Sequence, residues 1–338
     1  MNLRDVVVLS LSLTVLGPQP SPHPSSLFNV ADVQLAEVSG ISVSGDGARY
    51  HVTEDARGGD EVYVLDERGG TRATVAMPAG LNEDWEDIAT VRGRIYLADL
   101  GDAWVVRQAA GQKPRASFRI VTLDEPPATA KGRITATGVV SYPVEYDDRI
   151  ARNSEAMLVH PVTGQIYVIS KAEKAPQKPV LWAAPPTLNA TGVNKLTRLV
   201  ADVGVLQASG AAFSPTGDRI VIRNATKAWV WRVKGNDVAG AFTSKPVEIA
   251  LPVQRQGEGV SFTADGHALL VNSEGPKQPV WSVPLPAAAD TATAPDPLPV
   301  SIRDTSRDLV MLVIAGSSGL VAVVLVLVYA RRGRGRYT

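Results

Sequence analysis

The sequence predicts an all-β protein built on a repeated unit, and three observations carry that reading. Between two apolar ends lie about 260 residues in which short Val, Ile, Tyr and Trp runs alternate with turns, without a sustained helical period. One unit then returns five times: SGISVSGDGARYHVTED from Ser39, EDIATVRGRIYLADLGD from Glu86, EAMLVHPVTGQIYVISK from Glu155, SGAAFSPTGDRIVIRNA from Ser209 and EGVSFTADGHALLVNSE from Glu258. Successive starts lie 47, 69, 54 and 49 residues apart, the length of a four-stranded propeller blade. Five repeats predict a five-bladed β-propeller, and the long second interval leaves room for a sixth blade.

The elements follow in chain order. Arg4 precedes an apolar run from Val6 to Leu16 and the breaker string GPQPSPHPSS. That run is too short to span a bilayer and has the pattern of a signal peptide, over residues 1–25. Each repeat opens with an apolar strand, a tight Gly-containing turn and a second apolar strand. Third strands follow as EVYVLDE, SFRIVTLDE, PVLWAAP, AWVWRV and PVWSVPL. Fourth strands follow in the first four repeats as TRATVAMP, ITATGVVSYP, NKLTRLVADV and PVEIALPV. The fifth repeat has no fourth strand of its own, because a Pro/Ala-rich linker, PLPAAADTATAPDPLP, begins at Pro284. The missing strand stands at the other end of the chain. LFNVADVQLAEVSG from Leu27 matches LTRLVADVGVLQASG from Leu196, so residues 27–35 are expected to complete the last blade and close the ring.

The propeller is thus expected over residues 26–285 and the linker over 286–308. Residues 309–330 carry no charged side chain and would reach roughly 33 Å as a transmembrane helix, enough to cross the hydrocarbon core. Arg331, Arg332, Arg334 and Arg336 follow at once and place the tail, 331–338, in the cytoplasm. The expected localisation is the cell membrane, as a single-pass type I protein with its N-terminal body extracellular.

Composition narrows the chemistry. The 338 residues hold 34 Lys+Arg against 34 Asp+Glu, so no basic excess is available for nucleic acid, which is not an expected partner. Cysteine is absent, which removes disulfide scaffolds, Cys-ligated zinc, Fe–S clusters and thiol catalysis. None of the four His stands at the spacing of a helical zinc pair.

In a propeller the first strand of each blade lines the central channel. The residues that open it here are Ser39, Glu86, Glu155, Ser209 and Glu258, and pseudo-symmetry brings them to one ring at the mouth. Three carboxylates so close repel one another unless a cation joins them. Hard oxygen donors suit Ca²⁺ better than a transition metal, so these five are the expected metal ligands and Ca²⁺ the expected cofactor. The second strands end in Glu54, Asp99, Ser170, Asn224 and Asn272, at offsets of 15, 13, 15, 15 and 14 from the first column. They form an expected outer polar ring that orients ligands or holds waters. The competing reading of both columns is solvated strand ends.

The ordered column Ser, Glu, Glu, Ser, Glu resembles the calcium site of the calcium-activated nucleotidase (apyrase) family, which implies a five-bladed propeller with a central Ca²⁺. The phrases DWEDIA (from Asp84), SEAMLVHPVTGQIYVISK and GEGVSFTADG are similar to a family of secreted bacterial propeller proteins of unsettled function. No catalytic residue carries over from the nucleotidases, since outside the column no motif matches residue by residue.

Trp182, Trp231 and Trp281 recur in the third strands, with Tyr63 at the matching place, and read as inter-blade packing more readily than as a carbohydrate platform. Trp85 and Trp104 lie off that column and are the better ligand-contact candidates. Lys171, Arg223 and Lys277 fall near second-strand ends, where they would meet an anionic ligand. No nucleophile elbow, phosphate loop or dinucleotide fingerprint is present. The expected function is a ligand- or protein-binding module around a central Ca²⁺. The alternative is a Ca²⁺-dependent hydrolase of phosphoesters or nucleotides. Expected partners are the membrane and an extracellular ligand or protein at the channel face.

Overall fold

The computed structural model describes residues 9–12, 23–55, 59–102, 104–113, 115, 117–290, 300–303, 309–315 and 321–327. The chain divides into two compact units, one of residues 20–291 and one of residues 1–19 with 292–338.

The larger unit holds five repeated four-stranded blades, numbered here along the chain. Blade 1 runs from its inner strand Val38–Val43 through Tyr50–Glu54 and Glu61–Leu65 to Thr71–Ala76. Blade 2 holds Trp85–Val91, Arg94–Asp99, Phe118–Asp124 and Val140–Tyr146. Blade 3 holds Ser154–Val159, Ile166–Ser170, Leu181–Ala183 and Asn194–Val200. Blade 4 holds Gly210–Phe213, Arg219–Arg223, Lys227–Arg232 and Val247–Ala250. Blade 5 holds Gly257–Phe262, Ala268–Ser273 and Pro279–Pro284, and its outer strand is Ser25–Asn29 from the start of the chain. Each inner strand packs against the inner strand of the next blade, and the fifth packs against the first. The ring therefore closes at five, and the long interval between the second and third repeats makes no sixth blade.

The inner turns explain part of this regularity. Each contains one glycine at positive φ, namely Gly47 (72°), Gly93 (73°), Gly164 (73°), Gly217 (77°) and Gly266 (74°). A side chain would strain that conformation, so glycine recurs at each turn. The core lies between the blades rather than inside any one of them. The buried apolar residues form five clusters, one at each blade-to-blade seam. The third-strand aromatics belong to these seams: Trp182 meets the Tyr146 ring at 4.9 Å, and Trp231 meets Phe242 at 5.0 Å. Trp281 and Tyr63 pack, half-buried, against two other seams, so the packing reading accounts for the column.

Two expectations about the strands need revision. The closing strand is Ser25–Asn29 rather than 27–35, because Phe28 and Val30 already fill the last seam and the chain then turns toward blade 1. The segment ITATGVVSYP is not one strand. Its first part, Gly132–Thr135, pairs in parallel with the outer strand of blade 1, and the chain passes Gly138 (φ 61°) before Val140–Tyr146 joins blade 2. The outer strands of blades 2 and 3 also pair in parallel, through Val144 with Asn194 to Tyr146 with Leu196, so their sheets join edge to edge.

In the smaller unit, Leu9–Ser12, Val321–Leu327, Leu309–Ala315 and Val300–Arg303 form an antiparallel sheet in that order. Where a helix is expected over 309–330, the described parts are these strands. Val- and Ile-rich runs have β propensity as pronounced as their hydropathy. No described helix is long and apolar enough to cross a membrane. At the start of the expected linker, Ala287–Asp290 is a short helix rather than extended chain, with Ala289 buried and its carbonyl accepting an N–H of Arg219 at 3.3 Å. Nearly all the remainder of the expected signal peptide, linker, span and tail lies outside the described residues.

Candidate functional site

The channel is built by stacking equivalent positions of the five inner strands. One step below the Ser/Glu column stand Gly40, Asp87, Ala156, Gly210 and Gly259. A Cβ on Gly40 would lie 2.7 Å from the Ile88 backbone nitrogen, one on Gly210 2.8 Å from the Glu258 carbonyl oxygen, and one on Gly259 2.7 Å from the Ser39 carbonyl oxygen. At these three positions the inner strands approach too closely for a side chain.

Asp87 is the exception. Its carboxylate is fully buried and accepts the Met157 N–H of blade 3 at 2.8 Å, the Ala211 N–H of blade 4 at 3.3 Å and the Ile88 N–H at 2.9 Å. Burial pushes its pKa up to about 8, although all three N–H groups work against that shift. Asp87 thus ties three blades together beneath the mouth. The sequence signal for it is slight: it is the only ionisable residue in a column otherwise of Gly and Ala.

At the mouth, the structure brings together the three predicted glutamates. Burial first, then the Glu155, Asp84 and Glu258 carboxylates, holds the Glu86 carboxyl well above its ordinary value. Burial and then Glu155 push Glu258 up to about 7. Glu274, just past the second strand of blade 5, is pushed up to about 7 by burial, then by Glu258 and Asp55. Asp84 belongs to the same pit, since a Cβ on Gly101 would collide with both its carboxylate and that of Glu86.

Lys171 is the counter-charge. Its ammonium lies 2.6 Å from Glu155 Oε2, and Asn153 Nδ2 donates to the other oxygen of Glu155 at 2.7 Å. Burial works to lower the Lys171 pKa, but the Glu155 carboxylate overrides it and the net shift is upward. The predicted serines act between blades. Ser39 Oγ donates to the Glu86 carbonyl at 2.6 Å and Ser209 Oγ to the Glu258 carbonyl at 3.0 Å, so each staples its strand to the next blade. Among the described residues, no three His, Asp or Glu side chains stand in a disposition to hold a metal ion as they are.

The second column makes structural bonds. Glu54 accepts the Glu37 N–H, and Asp99 accepts the Asp84 N–H while pairing with Arg115 and Arg119. Ser170 accepts the Trp182 indole N–H, Asn224 accepts two turn N–H groups, and Asn272 donates to the Val38 carbonyl across the closing seam. Arg223 is fully buried, and its guanidinium donates to the carbonyls of Gly259 and Asn272. Burial lowers its pKa to about 10. It braces blade 5 and offers nothing to an anion at the surface. Trp85 is also no ligand contact: it is fully buried, with its indole N–H on the Leu81 carbonyl at 2.8 Å. Lys277 is exposed on the loop after Glu274, and the Trp104 side chain lies outside the described residues.

No family profile matches the sequence, and no curated protein matches it. Among solved structures the chain is similar to a glucose dehydrogenase, at 11% identity and a TM-score of 0.45, over 78% of this chain and 100% of that one. It is similar to a gluconolactonase from Xanthomonas campestris at 13% identity and a TM-score of 0.43, over 78% and 89%. It is also similar to the soluble aldose sugar dehydrogenase of Escherichia coli, at 12% identity and a TM-score of 0.44, over 77% and 98%. The propeller assignment rests on the closed ring of inner strands, not on these likenesses.

Proposed function

We propose that the protein is a membrane-anchored extracellular propeller that binds a ligand or protein at its channel face around a central Ca²⁺. The observation that supports this best is the meeting of Glu86, Glu155 and Glu258 from three blades, where burial first and then the neighbouring carboxylates make Glu86 and Glu258 hold their protons more tightly. A divalent cation relieves that repulsion. The donor set fits a hard cation. The carboxylates would carry the charge, and the Ser39 and Ser209 hydroxyls, whose protons go to backbone carbonyls, keep oxygen lone pairs for a ligand role. Lys171 must give way for the ion to enter, and its side chain is partly exposed, which leaves it a route to solvent.

Bound Ca²⁺ would neutralise the pit and offer open coordination positions to an oxygen-bearing ligand. The test is the melting temperature of the protein in chelator, in Ca²⁺ and in Mg²⁺. Ca²⁺ should raise it, and Mg²⁺ should do so less, because its smaller octahedral shell suits a wide ring poorly. The variant Glu155→Gln should lose most of the Ca²⁺ response while staying folded. A wild type that melts identically in all three conditions overturns the reading. Release of phosphate from nucleotides or simple phosphoesters, dependent on Ca²⁺, would instead favour the hydrolase.

A further inference from the structure

On the face of the inner turns, opposite the acidic mouth, the channel opens into a cavity of about 340 Å³ to which all five blades contribute. Ile88, Met157 and Ala211, whose N–H groups Asp87 receives, form part of its wall, so Asp87 separates it from the mouth. Apolar side chains such as Val159, Phe213 and Phe262 dominate the lining. Six hydroxyl residues interrupt them, Ser42, Ser44, Thr90, Ser214, Ser261 and Thr263. Ser42 and Thr90 lie 2.8 Å apart, with Nδ1 of the buried His51 2.8 Å behind Thr90. No acidic side chain lines the cavity among the described residues, and its one charged lining residue is Arg92. Arg92 is exposed and spends one guanidinium N–H on the Val162 carbonyl at 3.3 Å.

We propose that this cavity binds a small apolar molecule bearing one carboxylate, with its body between the blades and its anion on Arg92. The volume falls in the range of small-molecule sites, which are mostly apolar with a few placed polar groups. Burying an apolar body there gains the usual surface-removal energy. A carboxylate at the rim meets a guanidinium, whose fork matches it. The acidic groups beside the rim, Asp46 and Glu125, face the guanidinium of Arg49 at 3.1 and 3.9 Å. The site is independent of the Ca²⁺ reading, because Asp87 stands between them.

Binding is tested by titration calorimetry of sodium 2-naphthoate and neutral 2-naphthamide into the full chain in lipid nanodiscs, with empty discs as reference. Naphthoate should bind more tightly than the amide, by about fivefold, the strength of an exposed ion pair. Arg92→Asn should remove that preference while leaving the amide unchanged, since Asn tolerates the left-handed backbone (φ 54°) found there. Ala264→Trp, on an exposed turn at the cavity rim, should abolish binding of both probes without entering the core. Glu155→Gln at the mouth should leave both heats intact. Absence of naphthoate binding to the wild type overturns the proposal, as does binding that survives Ala264→Trp or a preference that survives Arg92→Asn.

Discussion

His51 shows how a single buried group contributes to the response of this protein to acid. It is fully buried between blades 1 and 2, and burial pushes its pKa down to about 3, with Arg49 adding to that and Asp46 opposing it. A folded-state pKa below the ordinary 6.5 means that protonation favours the unfolded chain. His51 therefore contributes stability that is complete above about pH 6.5 and is lost as the pH falls toward 3. In denaturant melts between pH 6 and pH 4, the loss should be shallower in His51→Asn than in the wild type, by up to about 1.4 kcal/mol per pH unit. Equal slopes in the two proteins would show that His51 does not govern the trend. Asp87 poses a different residue-scale question. In Asp87→Ala the Met157 and Ala211 N–H groups lose their acceptor, at a cost of roughly 1–3 kcal/mol each if water does not replace it. A melting temperature within error of the wild type would deny Asp87 its tie between blades. For Gly40→Ala, overpacking against the Ile88 backbone should cost about 1–3 kcal/mol.

At the scale of the element, the closing strand is the point of greatest leverage. Ser25–Asn29 covers the edge of Pro279–Pro284 and places Phe28 against Tyr50, with ring centroids 5.0 Å apart. Without it, a row of unpaired backbone groups on the third strand of blade 5 becomes a template for intermolecular pairing. A chain lacking residues 25–29 should aggregate at concentrations where the wild type is monodisperse in light scattering. Phe28→Ala keeps the backbone pairing and removes only the ring, so it should lose roughly 3–5 kcal/mol of stability in denaturant melts without aggregating. If the deletion stays monodisperse and melts as the wild type does, ring closure is not what holds the last blade.

At the scale of the whole molecule, two predictions concern coupling. If Ca²⁺ binds only the folded ring, its effect must grow with concentration, reaching about 2.7 kcal/mol at a hundredfold excess over the dissociation constant. Lys171→Met removes the competing ammonium and should strengthen Ca²⁺ binding in calorimetry; unchanged affinity would mean that the ammonium does not compete. The proposed topology predicts that protease applied to intact cells removes the propeller and spares a C-terminal fragment carrying the Arg cluster. Recovery of the intact body after shaving would overturn it.

What the sequence determined by itself is the repeat, and with it most of the fold. Strand alternation and a glycine at each inner turn are local requirements of φ and pleat, so five copies announce five blades, and the unpaired start of the chain announces the closing strand. The Ser/Glu column was legible for the same reason, since equivalent positions in a closed ring must converge. Tertiary structure alone decided what those residues do. Whether Ser39 offers its hydroxyl to a ligand or to the Glu86 carbonyl depends on the gap between neighbouring blades, which no spacing within one repeat encodes. The ammonium of Lys171 and the carboxylate of Glu155 are 16 residues apart and meet only because second and first strands end on one face. Arg223 and Trp85 stand near strand ends in the sequence but are buried, with Gln254 and Leu81 of the segments between blades accepting their N–H groups. Asp87 stood in plain view, but its reach to blades 3 and 4 exists only when the ring has closed and brought their backbone N–H groups to it.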